Sequence, residues 1–483
     1  MPDRSATTTA FPTVPRPTVN RQRRSRSALR TAVSAALACA GALFLQTASA
    51  LPVLPQGAGY GLETAAGRGG AIHKVTNLND SGAGSLRACV DADGPRVCVF
   101  EVSGAISMNR DLVIRNPNIT IAGQTAPSPG VLLRGAGLSI QTSDVLVQHI
   151  RVRVGDAPEG PAMDNRDALK IDSPSGSIRN VVIDHCSFSW AIDETASVWA
   201  GWDEVTLSNN IFAEPLHQSH HSKGPHGYGI IVGPWKGRIS VVGNLMAHQV
   251  ERNPLTRAQR AVIVNNVIYN RMNMDVDVQG EKGIATQTTV IGNVFLRGAD
   301  YTRSHKPVLV RMNGGLKLPD GSKLYVADNI AAERTENDEW SVVDTLGGSL
   351  PSSVKANEPP AWPKGLTRLP ASGDVVLQNT LRFAGARPAD RDPVDERIVR
   401  QVREGSGQIV NCVSDDGSAR CKRNAGGWPE IAENHRTLQP PANPHETTPS
   451  GYTNLELWLH EMSAAVEGRS TARPSAPALT SRN

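Results

Sequence analysis

NVVIDHCSFSW (residues 180–190), EVTLSNNIFAEP (204–215), RISVVGNLMAH (238–248) and RAVIVNNVIYN (260–270) repeat one pattern. A short β-branched run ends in a polar residue, and a second apolar run follows. The same pattern extends outward in DVLVQHI (144–150), TTVIGNV (288–294) and LYVADNI (324–330), with NITIAGQ (118–124) as an earlier relative. Aligned this way, the polar position is His149, His185, Asn210, Asn244, Asn266, Asn293 and Asn329, at intervals of 36, 25, 34, 22, 27 and 36 residues. Each unit holds one strand and a turn, with no amphipathic helix between units. That excludes a βαβ solenoid, and a propeller would need four strands in each repeat of roughly 40 residues. An all-β parallel β-helix fits. Each strand stacks on its equivalent in the next coil, inward residues form apolar columns, and the polar column, largely asparagine, can ladder its amides. Uneven intervals then mean corner loops of varied length, where function in a solenoid concentrates.

Beyond residue 335 the strand pattern fades into Pro, Glu and Lys until about residue 390. A helical signal follows. Asp392 can N-cap, Pro393 suits the first turn, Val394, Ile398 and Val402 share a face, and Gly405 ends it. A second helix is predicted in NLELWLHEMSAAVEG (454–468). We expect this short helical arm to cap and pack against the β-helix, because solenoid ends expose apolar edges. The expected organisation is a signal peptide over 1–50, a β-helix over 51–335, a packing extension over 336–467 and a disordered tail over 468–483.

The leader reading rests on a basic run from Arg21 to Arg30, the apolar core AVSAALACAGALFLQ and a small-residue site at Ala48-Ser49-Ala50. It also changes the charge balance. The 483-residue chain carries +4, but beyond residue 50 there are 43 Lys and Arg against 45 Asp and Glu. An anionic partner must therefore be met by a local cluster or a metal, and nucleic-acid binding is disfavoured. No later stretch is apolar enough to span a membrane. A secreted, oxidised, monomeric protein is expected. Cys89/Cys98 and Cys412/Cys421 each bracket a short polar turn and read as local disulfides, while Cys186 reads as a buried, inert thiol.

Polar chemistry concentrates in three segments. MDNRDALKID carries Asp164, Asp167 and Asp172; IDHCSFSWAIDET carries Asp184, His185, Asp193 and Glu194; HQSHHSKGPHGYG with QVERNPLTRAQR carries four histidines, Lys223, Arg252 and Arg257. Acids on adjacent coils suit a hard cation with several oxygen ligands. Arg and Lys on the following coils suit carboxylate recognition. Asp164 and Asp172 read as solvated or capping turn acids, and a buried Asp184–His185 pair pinning a turn is at least as natural as a catalytic dyad. The histidines lack a zinc spacing.

Six segments in order, GRGGAIHKVTNLNDSGAGSLRACV, GPRVCVFEVSGAI, ITIAGQTAP, VVIDHCSFSWAIDE, HSKGPHGYG and ERNPLTR, resemble the pectate lyases of polysaccharide lyase family 1, in the branch that includes bacterial pectate trisaccharide-lyases. The resemblance covers about Gly57 to Asn329 and reappears in the tail segments RDPVDERIVRQVREGSG and GYTNLELWLHEM. It implies a right-handed parallel β-helix and calcium-assisted β-elimination on polygalacturonate. By motif, the proton-abstracting arginine falls on Arg252 in ERNP, and the carboxylate-gripping arginine on Arg257. The calcium acids fall on Asp167, Asp193 and Glu194, and a substrate-binding lysine on Lys223. Asn165 and Val198 stand where many relatives carry further acids, which implies a weaker free calcium site.

The chemistry accounts for these residue types. The C5 proton of galacturonate is α to a carboxylate, so its removal builds negative charge that Ca²⁺ and cationic side chains neutralise. Arginine is ordinarily a fixed cation, and acts as a base only in a dry, cation-crowded site. Three rivals are a polygalacturonase, which would leave the arginine pair unexplained, a non-enzymatic glycan-binding β-helix, and a lyase acting on methylated pectin, which would need no calcium acids.

Overall fold

The computed structural model describes residues 51–469 apart from 174–175, 303–304 and 370–372. The expected leader at 1–50 and residues 470–483 of the expected tail lie outside the described residues.

Three parallel sheets wind about one core. The first has ten strands, from Ala71–Val75 to Lys323–Ala327; the second has nine, from Leu112–Ile114 to Val343–Leu346; the third has eight, from Gly104–Ser107 to Val294–Leu296. One coil consists of Ile178–Asp184 in the first sheet, Ser187–Ser189 in the third and Glu194–Val198 in the second; Trp202–Ser208 then opens the next. This is the parallel β-helix that the repeat predicts. Its register makes columns. Val147, Ile183, Leu207, Val241, Ile263, Val290 and Val326 lie level on successive coils, and all belong to the main apolar core. Burying each such side chain contributes about 1.5–3 kcal/mol.

The asparagine ladder is present but differs from the expected alignment. Asn210 donates from Nδ2 to Asn244 Oδ1 at 3.0 Å, and Asn244 donates likewise to Asn266, Asn266 to Asn293 and Asn293 to Asn329, at 3.0, 2.9 and 2.9 Å. His149 and His185 are not members. The pairing of Asp184 with Ser208 puts Cys186, not His185, level with Asn210. The two histidines occupy the preceding left-handed position, at φ 59° and 47°, which Asn209, Gly243, Asn265, Gly292 and Asp328 fill on the later coils. The turn therefore needs two residues in sequence: one that tolerates positive φ, then one with an amide to stack. Ile150 and Cys186 lack the amide, so the ladder starts at Asn210.

Among the described residues four α-helices cover the stack: α1 (Leu86–Asp91), α2 (Gly373–Phe383), α3 (Pro393–Glu404) and α4 (Asn454–Glu467). Helix α3 starts at the Asp392 cap and stops at Gly405, as its sequence predicts. Thr453 and Glu456 form a capping box on α4. Helices α1 and α2 were not predicted, although Ser85 caps α1 by accepting from Ala88 N at 3.2 Å. The coils also run past residue 335, since Val343–Leu346 pairs with Val308–Arg311. Cys89–Cys98 ties α1 to the first sheet, Cys412–Cys421 closes a loop of the extension, and Cys186 is free and buried. Helices α2 and α3 pack on the third sheet, where Val376, Leu381, Ile398 and Val402 meet Ile211, Leu245 and Val267. Under α3 lies a wholly buried ionic lock. Arg153 reaches Asp392 at 2.5 Å and Asp395 at 2.8 Å, and Arg151 lies 3.4 Å from Asp395.

Candidate active site

The second sheet brings the predicted residues together at the start of its strands. Leu169 pairs with Ala196, so Asp167 and Glu194 lie level, two residues upstream of each. Glu194 pairs with Tyr228, and Tyr228 bridges to Glu251. Three residues on, Ile231 pairs with Leu255, four residues beyond Glu251. The strand carrying Arg252 thus holds one extra residue between two register points, a bulge of the kind that re-aims a side chain. Arg252 itself adopts φ 68°. Its carbonyl accepts from Ile230 N, and a Cβ on Gly229 would stand 2.4 Å from that same oxygen, so only glycine fits beside it.

The bulge turns Arg252 back across two coils. Its guanidinium lies over the Tyr228 ring, 4.1 Å from the centroid, and its Nη1 pairs with Glu194 Oε1. Nε is buried without a hydrogen-bond partner. Carboxylate oxygens of Asp167, Asp193 and Glu194 lie within 4.8 Å of one another. Ser197 donates to Asp167 Oδ2 at 2.6 Å, while Asp167 Oδ1 is buried without a hydrogen-bond partner, 4.0 Å from Lys170 Nζ. Burial pushes the Asp167 carboxyl up to about 7, and the charge of Asp193 adds to the effect. Glu194 is also raised: burial, with Asp167 and Asp193 beside it, outweighs Arg252. Three crowded oxygen donors, one of them orphaned, fit a hard divalent cation such as Ca²⁺.

The histidine loop closes one side. His221 and His226 stack with centroids 3.5 Å apart, and their Nε2 atoms lie 3.5 and 3.7 Å from Asp193 Oδ1. His221 Nδ1 accepts from Lys223 N at 3.1 Å, which leaves its Nε2–H facing Asp193. Asp164, read from sequence as a solvated or capping acid, accepts the backbone N–H of Ser222 at 2.7 Å and so holds this loop across coils. Lys223 stands exposed on the same loop, where its charge acts on Asp164. Arg257 is half-buried at the far end of its strand; its Nε donates to Gln279 at 3.0 Å and its Nη1 lies 3.8 Å from Glu281. Sequence reasoning missed Tyr228 and Ser197, whose roles come from register alone. His221 and His226 were set aside for lack of a metal spacing. Asp184 and His185 do form the turn-pinning pair, 2.8 Å apart and buried, with Ser208 and Asn209 also donating to Asp184.

No family model matches the chain. Among curated sequences, it is 31% identical over 431 residues to the "Probable pectate lyase C" of Aspergillus oryzae, covering 86% of this chain and 96% of that one. The protein of the same name from Neosartorya fischeri is 30% identical over 454 residues, with 89% and 98% covered. Among solved structures, the major allergen from cedar pollen gives a TM-score of 0.48 at 16% identity, covering 67% of this chain and 91% of that one. Pectate lyase II from Xanthomonas campestris gives 0.43 at 14%, with 70% and 100% covered. The sequence relatives match at this level along nearly their whole length. The chain belongs to the pectate lyase family and is a polysaccharide lyase.

Proposed function

We propose that the protein is a secreted, monomeric pectate lyase of polysaccharide lyase family 1, in the branch of the bacterial pectate trisaccharide-lyases. It cleaves α-1,4-polygalacturonate by calcium-assisted β-elimination, leaving 4,5-unsaturated oligogalacturonates. The observation that carries this reading is Arg252, aimed by a strand bulge over Tyr228 at a group of three acids.

Asp167, Asp193 and Glu194 would hold the Ca²⁺, and the orphaned Asp167 oxygen supports that assignment. When bound, the ion offsets the galacturonate carboxylate charge and makes the C5 proton more acidic. The Nη1 that pairs with Glu194 Oε1 is not free to meet the substrate, so that contact must open before it can act, while Glu194 Oε2 stays available to the ion. A freed guanidine nitrogen of Arg252, stacked on the Tyr228 ring, takes the C5 proton; the electron pair left at C5 forms the C4–C5 double bond, the C4–O bond breaks, and water protonates the leaving oxygen. No covalent intermediate is needed. Arg257 and Lys223 grip substrate carboxylates on either side of the reacting sugar. Two disulfides support an oxidising compartment, and no helix among the described residues is long and apolar enough to cross a membrane.

Arg252→Lys tests the assignment. It keeps a positive charge but changes the reach and geometry of the base. We expect kcat to fall by about 10²-fold or more with the melting temperature unchanged. A folded variant with wild-type kcat would remove Arg252 from proton transfer.

A further inference from the structure

Metal-ligating side chains also converge away from the groove, at the seam between the β-helix and α4. His149 and His185 occupy equivalent turns of adjacent coils, with rings 5.3 Å apart and 18° from parallel. Each has Nδ1 committed. That of His149 donates to the Ala386 carbonyl at 2.8 Å, and that of His185 to the Asp184 carboxylate at 2.8 Å. Neither acceptor has a proton to give, so each Nδ1 carries the hydrogen, and a ring without a second proton presents a lone pair at Nε2. Both lone pairs face one carboxylate, Glu467 at the end of α4, at 3.6 Å from His149 and 3.7 Å from His185. His185 Nε2 is buried and has no hydrogen-bond partner. His149 Nε2 also meets the Ser463 hydroxyl. Arg469 reaches Glu467 Oε2 at 2.7 Å, which leaves Oε1 turned toward His149 and Ser463.

With both rings neutral, the Ser463 hydroxyl and the Arg469 guanidinium offset part of the repulsion between two imidazole lone pairs and the carboxylate, and a cation held between them offsets the rest. We propose that this seam binds one divalent transition ion of the zinc class, through His149 Nε2, His185 Nε2 and Glu467, with Ser463 Oγ or a water as the fourth ligand. The three ligand atoms already lie within 4.8 Å of one another, and small side-chain rotations bring them to the roughly 2.0–2.2 Å that zinc requires. Asp184 behind His185 is the outer carboxylate that fixes a ligating imidazole. The two nitrogen donors separate this site from the oxygen-only group at Asp167, Asp193 and Glu194, which suits Ca²⁺. Closed and buried, it is a clamp joining α4 to the coil stack and has no part in the elimination.

The test uses the full chain, stripped with chelator and titrated with Co²⁺ alone and with Zn²⁺ alone. We expect one Co²⁺ per chain with the visible absorption of a four-coordinate nitrogen–oxygen site, and a melting temperature raised by about 2 °C or more in excess zinc. Both signals should vanish in His149→Gln and Glu467→Gln. Both should survive in Asp193→Asn, which disables the other histidine-containing group. If wild-type protein shows no Co²⁺ spectrum and no zinc shift, a protonated His185 bridging Asp184 and Glu467 holds the seam, and the proposal fails. It also fails if the signals disappear in Asp193→Asn.

Discussion

At the scale of single residues, the proposed mechanism divides the labour of the acids and arginines at the start of the second sheet between ion, proton and substrate. Asp167 has one oxygen tied to Ser197 and one without a hydrogen bond, 4.0 Å from Lys170 Nζ. Asp167→Asn should therefore raise the calcium concentration for half-maximal activity by roughly 10-fold or more, while excess calcium restores much of the rate. An unchanged calcium requirement in a titrated kinetic assay would take Asp167 out of the ion site. Arg257 is positioned to clamp and not to react, so Arg257→Lys should raise KM several-fold and leave kcat nearly intact; a kcat loss as large as that of Arg252→Lys would contradict the division. The gathering of these side chains was legible beforehand: ERNP marked Arg252, and Asp167, Asp193 and Glu194 flank the Asp184–His185 strand that the structure sets beside it. Tyr228 was not legible, because nothing local marks it. It matters only because it lies 34 residues beyond Glu194 and 24 before Arg252, on the coil between them.

Among the elements, the coil turns and α3 hold the scaffold that aims these groups. Asn266 is in the middle of the ladder, giving and receiving amide bonds and also donating to the Val241 carbonyl at 2.9 Å. Asn266→Ala strands these buried partners and should cost about 1–3 kcal/mol in denaturant unfolding. The repeat made the ladder visible in the sequence, but misplaced His149 and His185 by one position, since a polar letter at a turn does not say whether it serves backbone conformation or stacking. Asp392 was read as an N-cap, and it does accept from Asp395 N at 2.9 Å. Its second duty, to the buried Arg153 on the third sheet 239 residues away, has no local signature. Removing a cap costs about 1 kcal/mol, whereas breaking a buried ion pair costs about 3–5. Asp392→Ala should show the larger figure; a loss near 1 kcal/mol would mean that the arginines find other partners.

For the whole molecule, the same lock sets acid stability. Burial alone would raise the Asp392 carboxyl, but Arg153 and Arg151 override it and hold the group well below the usual carboxylate range. Asp184 is held low in the same way by His185, Ser208 and Asn209 against burial. In the unfolded chain such acids take up protons near pH 4. The stability they contribute is therefore complete above that value and is lost as the pH falls through the lower folded values. Melting temperatures should drop steeply below about pH 4, and Asp392→Asn should start lower at neutral pH and flatten that limb; a wild-type-like limb in the variant would assign acid lability elsewhere. The coil stack then presents the cluster at which, in the proposed mechanism, calcium and Arg252 act on one sugar. The most direct test of that claim is the ultraviolet absorbance of polygalacturonate during digestion by the purified protein, with calcium and then with excess chelator. The account predicts a steady rise from the new C4–C5 double bond in calcium, a flat trace in chelator and recovery when calcium is returned. New reducing ends without that absorbance, or an undiminished rise in chelator, would contradict it.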